Sequence, residues 1–445
     1  MTVSPARRCA FNILRDLELG RRNSSECLAE AAEHLSEKDR NLTYEIVLGT
    51  LRDQIRLDRL IDTSSKTKKL DVAVRIALRF GMFQIYHLDR VPAYSAINES
   101  VELVAINGKS SAKAFVNAIL RRATRDEIAL EYADDIDRLV VETSHPRWLI
   151  DRWIAEFGIE TAKRIASANN ERPIIAFRPT ARYLRLEPSA SEGLLTEYDM
   201  SAFVKNCHFA GRMDAKLKEF EKQKYIYFQD EASQMAANII QIRSGMRFLD
   251  LCASPGSKTT MIASQKNADA KGSVVIAGDR SHKRVRFLRR NCIDQDVGFV
   301  NCVQYDAETS LPFDDASFDI VLVDAPCTGT GTIRHNPEIR YRLTASDIDR
   351  SASKQLAILR NAAKLISPGG SLIYATCSLE FEENELVVKR FLSEDGTFDV
   401  ADLGMDARFT TEDGFVRTMP FRDGMDGFFI AKLSRKPASN EIDRI

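Results

Sequence analysis

The chain carries almost no net charge. Its 63 lysines and arginines stand against 64 aspartates and glutamates, a formal balance of −1 over 445 residues. A global attraction to nucleic acid is therefore excluded, and any such binding must come from local basic faces. There is no C-x-x-C among the eight cysteines, which lie at Cys9, Cys27, Cys207, Cys252, Cys292, Cys302, Cys327 and Cys377. Zinc-binding and dithiol redox motifs have no support, and no metal is expected. No stretch approaches the ~20 consecutive apolar residues of a membrane span. The opening "MTVSPARRCAFNILRDLELG" has Arg7 and Arg8 but no apolar run behind them, so no signal peptide is expected. A cytoplasmic protein with reduced thiols follows, and a monomer is expected. Hydrophobic residues make up 44% and charged residues 29%, enough apolar side chain for a large core without staples.

The length suggests two to three domains, and the pattern divides into three regions. Residues 1–142 read as helices throughout. "ARRCAFNILRDLELG" sets Ala10, Phe11, Leu14 and Leu17 on one face, and Ser36-Glu37-Lys38-Asp39 fits a capping box. Arg52, Arg56, Arg59, Lys66, Lys68, Lys69, Arg121 and Arg122 form either a basic face or an ordinary solvated surface. Residues 143–228 are mixed: "HPRWLIDRWIAEFG" opens a helix, "RPIIAFRPT" and "YLRLEP" read as short strands, and "KLKEFEKQKYIYFQDEAS" interleaves lysines with aromatics, as an RNA-facing surface does. From 229 to 445 strand-like runs ("GMRFLDL", "GSVVIAGD", "GFVNCVQYD", "FDIVLVDAP", "GSLIYATCS", "GFFIAKL") alternate with helical segments. That alternation predicts a doubly wound, Rossmann-like parallel sheet, with ligands bound outside the carboxyl ends of its strands.

The strand ends are also defined by what they lack. "DLCASPGSKTT" is not G-x-x-x-x-G-K-[ST], because Cys252 and Ser257 stand where glycines belong. It is not G-x-G-x-x-G either, since Gly256 is its only glycine. A turn with one glycine leading into a helix still brings backbone close to a ligand. The next two runs end in Asp279 and Asp306. Asp250, Asp279 and Asp306 in register suggest a cofactor with a ribose and a base but no phosphates, and S-adenosyl-L-methionine fits; the alternative is that they cap helices. The fourth and fifth runs end in "DAPCTGTG" and "ATCSLEFEEN", placing Asp324, Cys327 and Cys377 at the sheet edge. A lone cysteine is usually a small buried hydrophobe, the role assigned to Cys9, Cys27, Cys207, Cys292 and Cys302. Two cysteines at neighbouring strand ends point to catalysis.

"DLCASPGSKTT", "DAPCTGTGTIRHNPE" and "YATCSLEFEENE" resemble the core motifs of the RNA 5-methylcytosine methyltransferases. "LDRVPAYSAINESVELV" and "AKAFVNAILRR" look like a NusB-type RNA-binding domain, and the combination is similar to the bacterial small-subunit ribosomal RNA (RsmB/Sun) group of that family. The resemblance implies an all-α NusB-like domain over 1–142, a mixed RNA-contact subdomain over 143–228 and a methyltransferase domain over 229–445. It implies that Cys377 is the nucleophile, that Cys327 assists release of the methylated base, that Asp324 contacts base and cofactor, and that Lys258 organises Asp324 and the loop. Cys252, Ala253, Ser254, Pro255, Gly256, Ser257, Lys258, Asp279, Asp306 and Asp324 would hold S-adenosyl-L-methionine, with small-subunit ribosomal RNA as the partner. The family loop carries two glycines before its lysine; here the second is Ser257, which would strain the turn if that position needs positive φ. Two basic clusters follow. "RSHKRVRFLRR" reads as a solvated helix face. Arg334, His335, Arg340 and Arg342 in "IRHNPEIRYR", directly after the catalytic loop, are expected to contact substrate. The same chemistry on tRNA, or an RNA-binding assembly factor with an idle methyltransferase fold, are the rival readings.

Overall fold

The computed structural model describes residues 3–65, 69–187, 193–265 and 272–437. The chain folds into two compact units, Met1–Glu171 with Ile333–Leu343, and Arg172–Thr332 with Thr344–Ile445. Among the described residues no helix is long and apolar enough to cross a membrane.

The first unit is helical. Its central helix, Val72–His87, is apolar on every side, and eleven of its residues from Ala73 to Gln84 are buried. Helices Pro5–Glu18, Glu37–Arg52, Gln54–Ser65, Ala93–Ile106 and Lys113–Ala123 pack around it. A helix surrounded on all sides needs no polar face, which explains the run "VAVRIALRFGMF". Arg79 on this helix is buried yet paired, donating to Asp58 at 2.6 and 2.7 Å and to Glu18 at 2.8 Å. Ser36 caps helix Glu37–Arg52, accepting from the Asp39 N–H at 3.2 Å. Helices Arg147–Phe157 and Ile159–Ala168, beyond residue 142, belong to this unit too, with Trp153 fully buried.

The second unit holds two sheets. The smaller has four strands, β1 (Ile175–Pro179), β2 (Asp199–Met200), β3 (His208–Ala210) and β4 (Ile226–Phe228), antiparallel in the order β2-β3-β1-β4. "YLRLEP" is not a strand here. Ala181–Leu184 is a short helix, because Thr180 turns its hydroxyl to accept from the Tyr183 N–H at 3.4 Å and so caps a turn; Pro188 lies outside the described residues.

The larger sheet carries the site. Its strands are β5 (Arg247–Asp250), β6 (Val274–Asp279), β7 (Asn301–Gln304), β8 (Phe318–Asp324), β9 (Ile366–Thr376), β10 (Phe398–Val400), β11 (Val416–Thr418) and β12 (Phe428–Arg435). The order is β10-β12-β9-β8-β5-β6-β7, with β11 on β12. Strands β5 to β9 pair in parallel; β12, the "GFFIAKL" run, lies antiparallel to β9. The sheet is therefore mixed at one side, and β10 and β11 are too short for alternation to reveal them. Alternate residues enter two separate cores, as a doubly wound sheet requires. Leu322, Ile373 and Ile430 pack with Met235, Met261 and Leu288, whereas Val321, Leu372 and Phe429 pack with Leu359, Ala362 and Val388. The strands' carboxyl ends are thereby fixed in one row.

Candidate active site

The row begins at Asp250, the last residue of β5. Its side chain is buried, and one oxygen accepts from the Thr259 hydroxyl at 2.6 Å. The other, Oδ1, is buried with no hydrogen-bond partner among the described residues. Burial pushes this carboxyl up to about 7, and the nearby Asp324 charge adds to the rise. The loop Cys252–Gly256 then crosses towards β6, where the Ala253 N–H donates to the Gly278 carbonyl at 2.8 Å. Gly256 has φ +101° and closes the turn onto Ala253 with a 2.6 Å bond. Only a residue without Cβ takes that conformation cheaply. Ser257 is the first residue of helix Ser257–Ser264 and is not among the positive-φ residues. The strain anticipated at Ser257 is thus absent, because the glycine before it makes the turn.

The loop is braced from outside. Arg284 donates to the Ser254 carbonyl at 2.8 Å, and Asn291 donates to that of Pro255 at 2.8 Å. Arg178, at the end of β1, is fully buried; its guanidinium donates to the Ser257 carbonyl and the Thr260 hydroxyl, both at 2.9 Å, and to Gln229 at 2.8 Å. Sequence reasoning missed Arg178, since an arginine in a short amphipathic run gives no sign of being inside.

Asp279 ends β6. It is buried, accepts from the Ser281 N–H at 3.2 Å and faces Arg284 at 3.2 Å. Asp306 is half-buried just beyond β7 and accepts from the Glu308 N–H at 3.0 Å, so it also shapes its own turn. Cys252 is half-buried among these acids; burial first, then their negative charge, pushes its thiol well above the usual range and keeps it a neutral wall. The donor set suits a cationic sulfonium on a ribose. Four carboxylates line the edge, an unpaired acceptor waits on Asp250, and two of the loop's own N–H groups are already bonded within the protein rather than turned out for phosphate.

At the end of β8, Lys258 Nζ lies 2.7 Å from Asp324. Burial opposes the lysine's charge, but Asp324 outweighs it and the ammonium is held above its ordinary value. The Phe428 ring also lies beside it, 4.9 Å from Nζ to the centroid. The two cysteines sit one strand apart. Cys327 Sγ and Cys377 Sγ are 3.4 Å from each other, and both residues are half-buried, neither sealed in the core nor loose in solvent. The contact with Cys377, then burial, pushes the Cys327 thiol well up. Of the other cysteines, Cys27, Cys207 and Cys292 are buried, whereas Cys9 and Cys302 are half-buried.

The two basic clusters exchange places. Arg334, His335, Arg340 and Arg342 lie in Ile333–Leu343, which belongs to the helical unit. Arg340 is fully buried there, donating to the carbonyls of Thr143 (3.0 Å), Ser144 (3.2 Å) and Asn169 (3.3 Å) and to the Asn170 side chain (2.9 Å). Glu338 accepts from the Ser24 N–H at 3.0 Å and from its hydroxyl at 2.6 Å. Arg334 is buried as well, whereas His335 is half-buried and Arg342 exposed, so Arg334 and Arg340 do not offer the substrate contact that their position after Cys327 suggested. By contrast Arg280, Lys283, Arg284, Arg286, Arg289 and Arg290, at and along helix His282–Asp294, lie towards solvent, with Phe287 56% exposed among them. In the helical unit Arg59 is taken up by Asp137 at 2.8 Å, Arg52 donates to the Arg334 carbonyl at 3.1 Å, and Lys66 and Lys68 lie outside the described residues.

A family model for the 16S rRNA methyltransferase RsmB/F matches residues 237–434, a NusB family model matches 4–125, and a ferredoxin-like domain of RsmF/B-like methyltransferases matches 145–187. The probable ribosomal RNA small subunit methyltransferase B of Bacillus subtilis is 31% identical over 98% of this chain and 100% of its own. The ribosomal RNA small subunit methyltransferase B of Pseudomonas putida is 32% identical over 97% and 99%. Among solved structures, PH0851 overlays 98% of this chain and 100% of its own with a TM-score of 0.81 at 24% identity. NSun6 from Pyrococcus horikoshii covers 66% of this chain and 99% of its own, with a TM-score of 0.57 at 20% identity. The chain belongs to the RsmB/F family of 16S rRNA methyltransferases, an S-adenosyl-L-methionine-dependent RNA methyltransferase with a NusB-family domain at its front.

Proposed function

We propose that this protein methylates carbon-5 of a cytosine in small-subunit (16S) ribosomal RNA through a transient bond between Cys377 and carbon-6. The observation that carries the reading is the pair of thiols 3.4 Å apart at the ends of β8 and β9, beside the Lys258–Asp324 ion pair. Carbon-5 of cytosine is a poor nucleophile. Addition of the Cys377 thiolate at carbon-6 pushes an electron pair onto carbon-5 and makes it reactive. Methylation leaves carbon-5 with both its proton and the new methyl group. Transfer of that proton to solvent water restores the ring double bond, breaks the carbon–sulfur bond and returns the Cys377 thiolate. Cys327, in contact with Cys377, serves this release.

S-adenosyl-L-methionine supplies the methyl group as an electrophilic sulfonium when bound. Asp250, Asp279, Asp306, Asp324 and the loop Cys252–Lys258 would hold it. The Asp324 carboxylate also faces the base's polar edge, and Lys258 fixes its direction. The base must leave its stack to enter, at a cost of a few kcal/mol that single-stranded or looped RNA reduces. The exposed basic helix His282–Asp294 is the surface we assign to the flanking phosphates. A cytoplasmic location follows from that substrate.

The test is a pair of substitutions. Cys377→Ala abolishes methyl transfer while RNA still binds; retained transfer refutes the nucleophile assignment. Cys327→Ala leaves protein covalently attached to RNA, visible as a shifted band on a denaturing gel, and absence of that band refutes its part in release. Bisulfite sequencing of 16S rRNA from cells lacking the protein locates the cytosine.

A further inference from the structure

One carboxylate grips the residue after each cysteine. Glu383 follows β9 in a short turn and is fully buried. Its Oε1 accepts from the Thr328 N–H at 2.9 Å and from Gln355 Nε2 at 3.0 Å. Its Oε2 accepts from the Thr328 hydroxyl and from the Ser378 hydroxyl, the latter at 2.5 Å. Thr328 follows Cys327 and Ser378 follows Cys377. The same Gln355 nitrogen donates to the Pro326 carbonyl at 2.9 Å, so both neighbours of Cys327 are tied to this network. Beside it, Asn384 accepts from Thr376 at 2.5 Å and donates to the Ser378 carbonyl at 2.9 Å, which holds both neighbours of Cys377. Neither sulfur is itself in these bonds. What they fix is backbone on each side of each sulfur.

We infer that Glu383 is a positioning residue that sets the separation of the Cys327 and Cys377 sulfurs, and that the two-cysteine chemistry, on which this inference rests, depends on that separation. A buried carboxyl with four donors is expensive to place in a core and is retained where its geometry is needed. A simple packing role would be met as well by an apolar side chain. The Gly331 N–H to Cys377 carbonyl and Leu379 N–H to Thr330 hydroxyl bonds would still join the loops, but the tie between the residues that follow the two sulfurs would be lost.

The shape of the network predicts which substitutions survive. In Glu383→Gln the amide oxygen still accepts from Thr328 N–H and Gln355, and the amide nitrogen donates to the two hydroxyls, which can accept as readily as donate. Glu383→Asp is one methylene short and cannot reach both loops. Glu383→Ala leaves the donors unpaired.

Two readouts separate the clamp from the chemistry. The first is disulfide formation between Cys327 and Cys377 in the full-length protein under diamide, which takes up the two protons and two electrons released; peptide mass spectrometry follows the cross-link. It reports sulfur spacing whatever the enzyme does. The second is single-substrate kinetics with RNA, with cofactor binding measured to verify the fold. The expected result is that the Ala and Asp variants cross-link at least tenfold more slowly and lose about a hundredfold in kcat with KM for RNA little changed, as a displacement near 1 Å would produce. The Gln variant restores both. Cross-linking of the Ala and Asp variants at the wild-type rate overturns the inference, as does slowed cross-linking with unchanged kcat. Should both shorter variants fail to bind cofactor, the Gln variant decides: recovery supports positioning, and loss of its cross-linking overturns it. Full methylation by Cys377→Ala would instead sink the proposed function and leave the cross-linking rate to judge the clamp alone.

Discussion

Gly331 offers a measure of how tightly the two cysteine loops are joined. It lies in the turn after Cys327, its N–H donates to the Cys377 carbonyl at 3.0 Å, and its carbonyl accepts from the Gly427 N–H at 2.9 Å. A Cβ built on it would stand 2.0 Å from the Gly427 carbonyl oxygen, 2.7 Å from that carbonyl carbon and 2.9 Å from the Cys377 carbonyl oxygen. All three are backbone atoms, so no flexible side chain can give way. Its φ lies outside the left-handed range, so the cost of an alanine is the collision alone. Reaching the 3.0 Å that real Cβ atoms keep requires a movement of about 1 Å between the Gly331 turn, which follows Cys327, and the Gly427 backbone. A 1 Å displacement of a reacting group costs about a hundredfold in rate, or roughly 2.7 kcal/mol in the barrier. Overpacking itself destabilises by about 1–3 kcal/mol. Gly331→Ala is therefore expected to lose about two orders of magnitude in kcat with a modest fall in Tm, read by transfer of labelled methyl to RNA and by thermal melting. Gly396→Ala, with open space around its Cβ position and ordinary φ, is the control and should change neither. Wild-type kcat in Gly331→Ala would refute the claim that these loops are locked in register.

Three further outcomes follow from buried or exposed charge. Burial raises Asp250 to about 7 in the folded protein against an ordinary value near 4, so the folded state holds a proton that the unfolded state has lost; stability from this group is complete below pH 4 and declines as pH rises to 7, by an amount on the order of a few kcal/mol. Denaturant melts from pH 5 to 8 should show a flatter profile for Asp250→Asn than for wild type, and an unchanged slope would contradict the buried acid. Arg340→Ala should destabilise the helical unit by about 3 kcal/mol, because it strips three backbone carbonyls of a buried donor; a change within error in urea unfolding would show that water replaces the guanidinium at no cost. Replacing Lys283, Arg286 and Arg289 together by glutamine should weaken RNA binding and leave cofactor affinity intact. The dependence of binding on log salt should flatten by about 0.7 for each phosphate of single-stranded RNA that is no longer neutralised; an identical salt slope would move the RNA surface elsewhere.

The contrast between the two arginine clusters shows where sequence reasoning works and where it stops. The strand ends were legible because parallel pairing leaves no choice. Once runs ending in Asp250, Asp279, Asp324 and Thr376 lie side by side in one direction, the residues that follow them must share an edge, and Cys327 meets Cys377 there. Such an inference needs only periodicity and strand direction. Whether an arginine faces water or carbonyls is decided by residues far away in the chain. Arg340 is buried because Thr143, Ser144 and Asn169, some 170 or more positions earlier, end helices with carbonyls that lack partners. Proximity to Cys327 along the chain suggested the opposite, and nothing in "IRHNPEIRYR" corrects it. Glu383 was hidden in the same way. In "LEFEENE" it is one acid among several, and only the meeting of Thr328 and Ser378 around it distinguishes it. The groups proposed to carry the chemistry sit at ends of elements, where local pattern reaches; the groups that hold them still are specified by tertiary contacts, so a sequence names a candidate nucleophile before it names what would aim it.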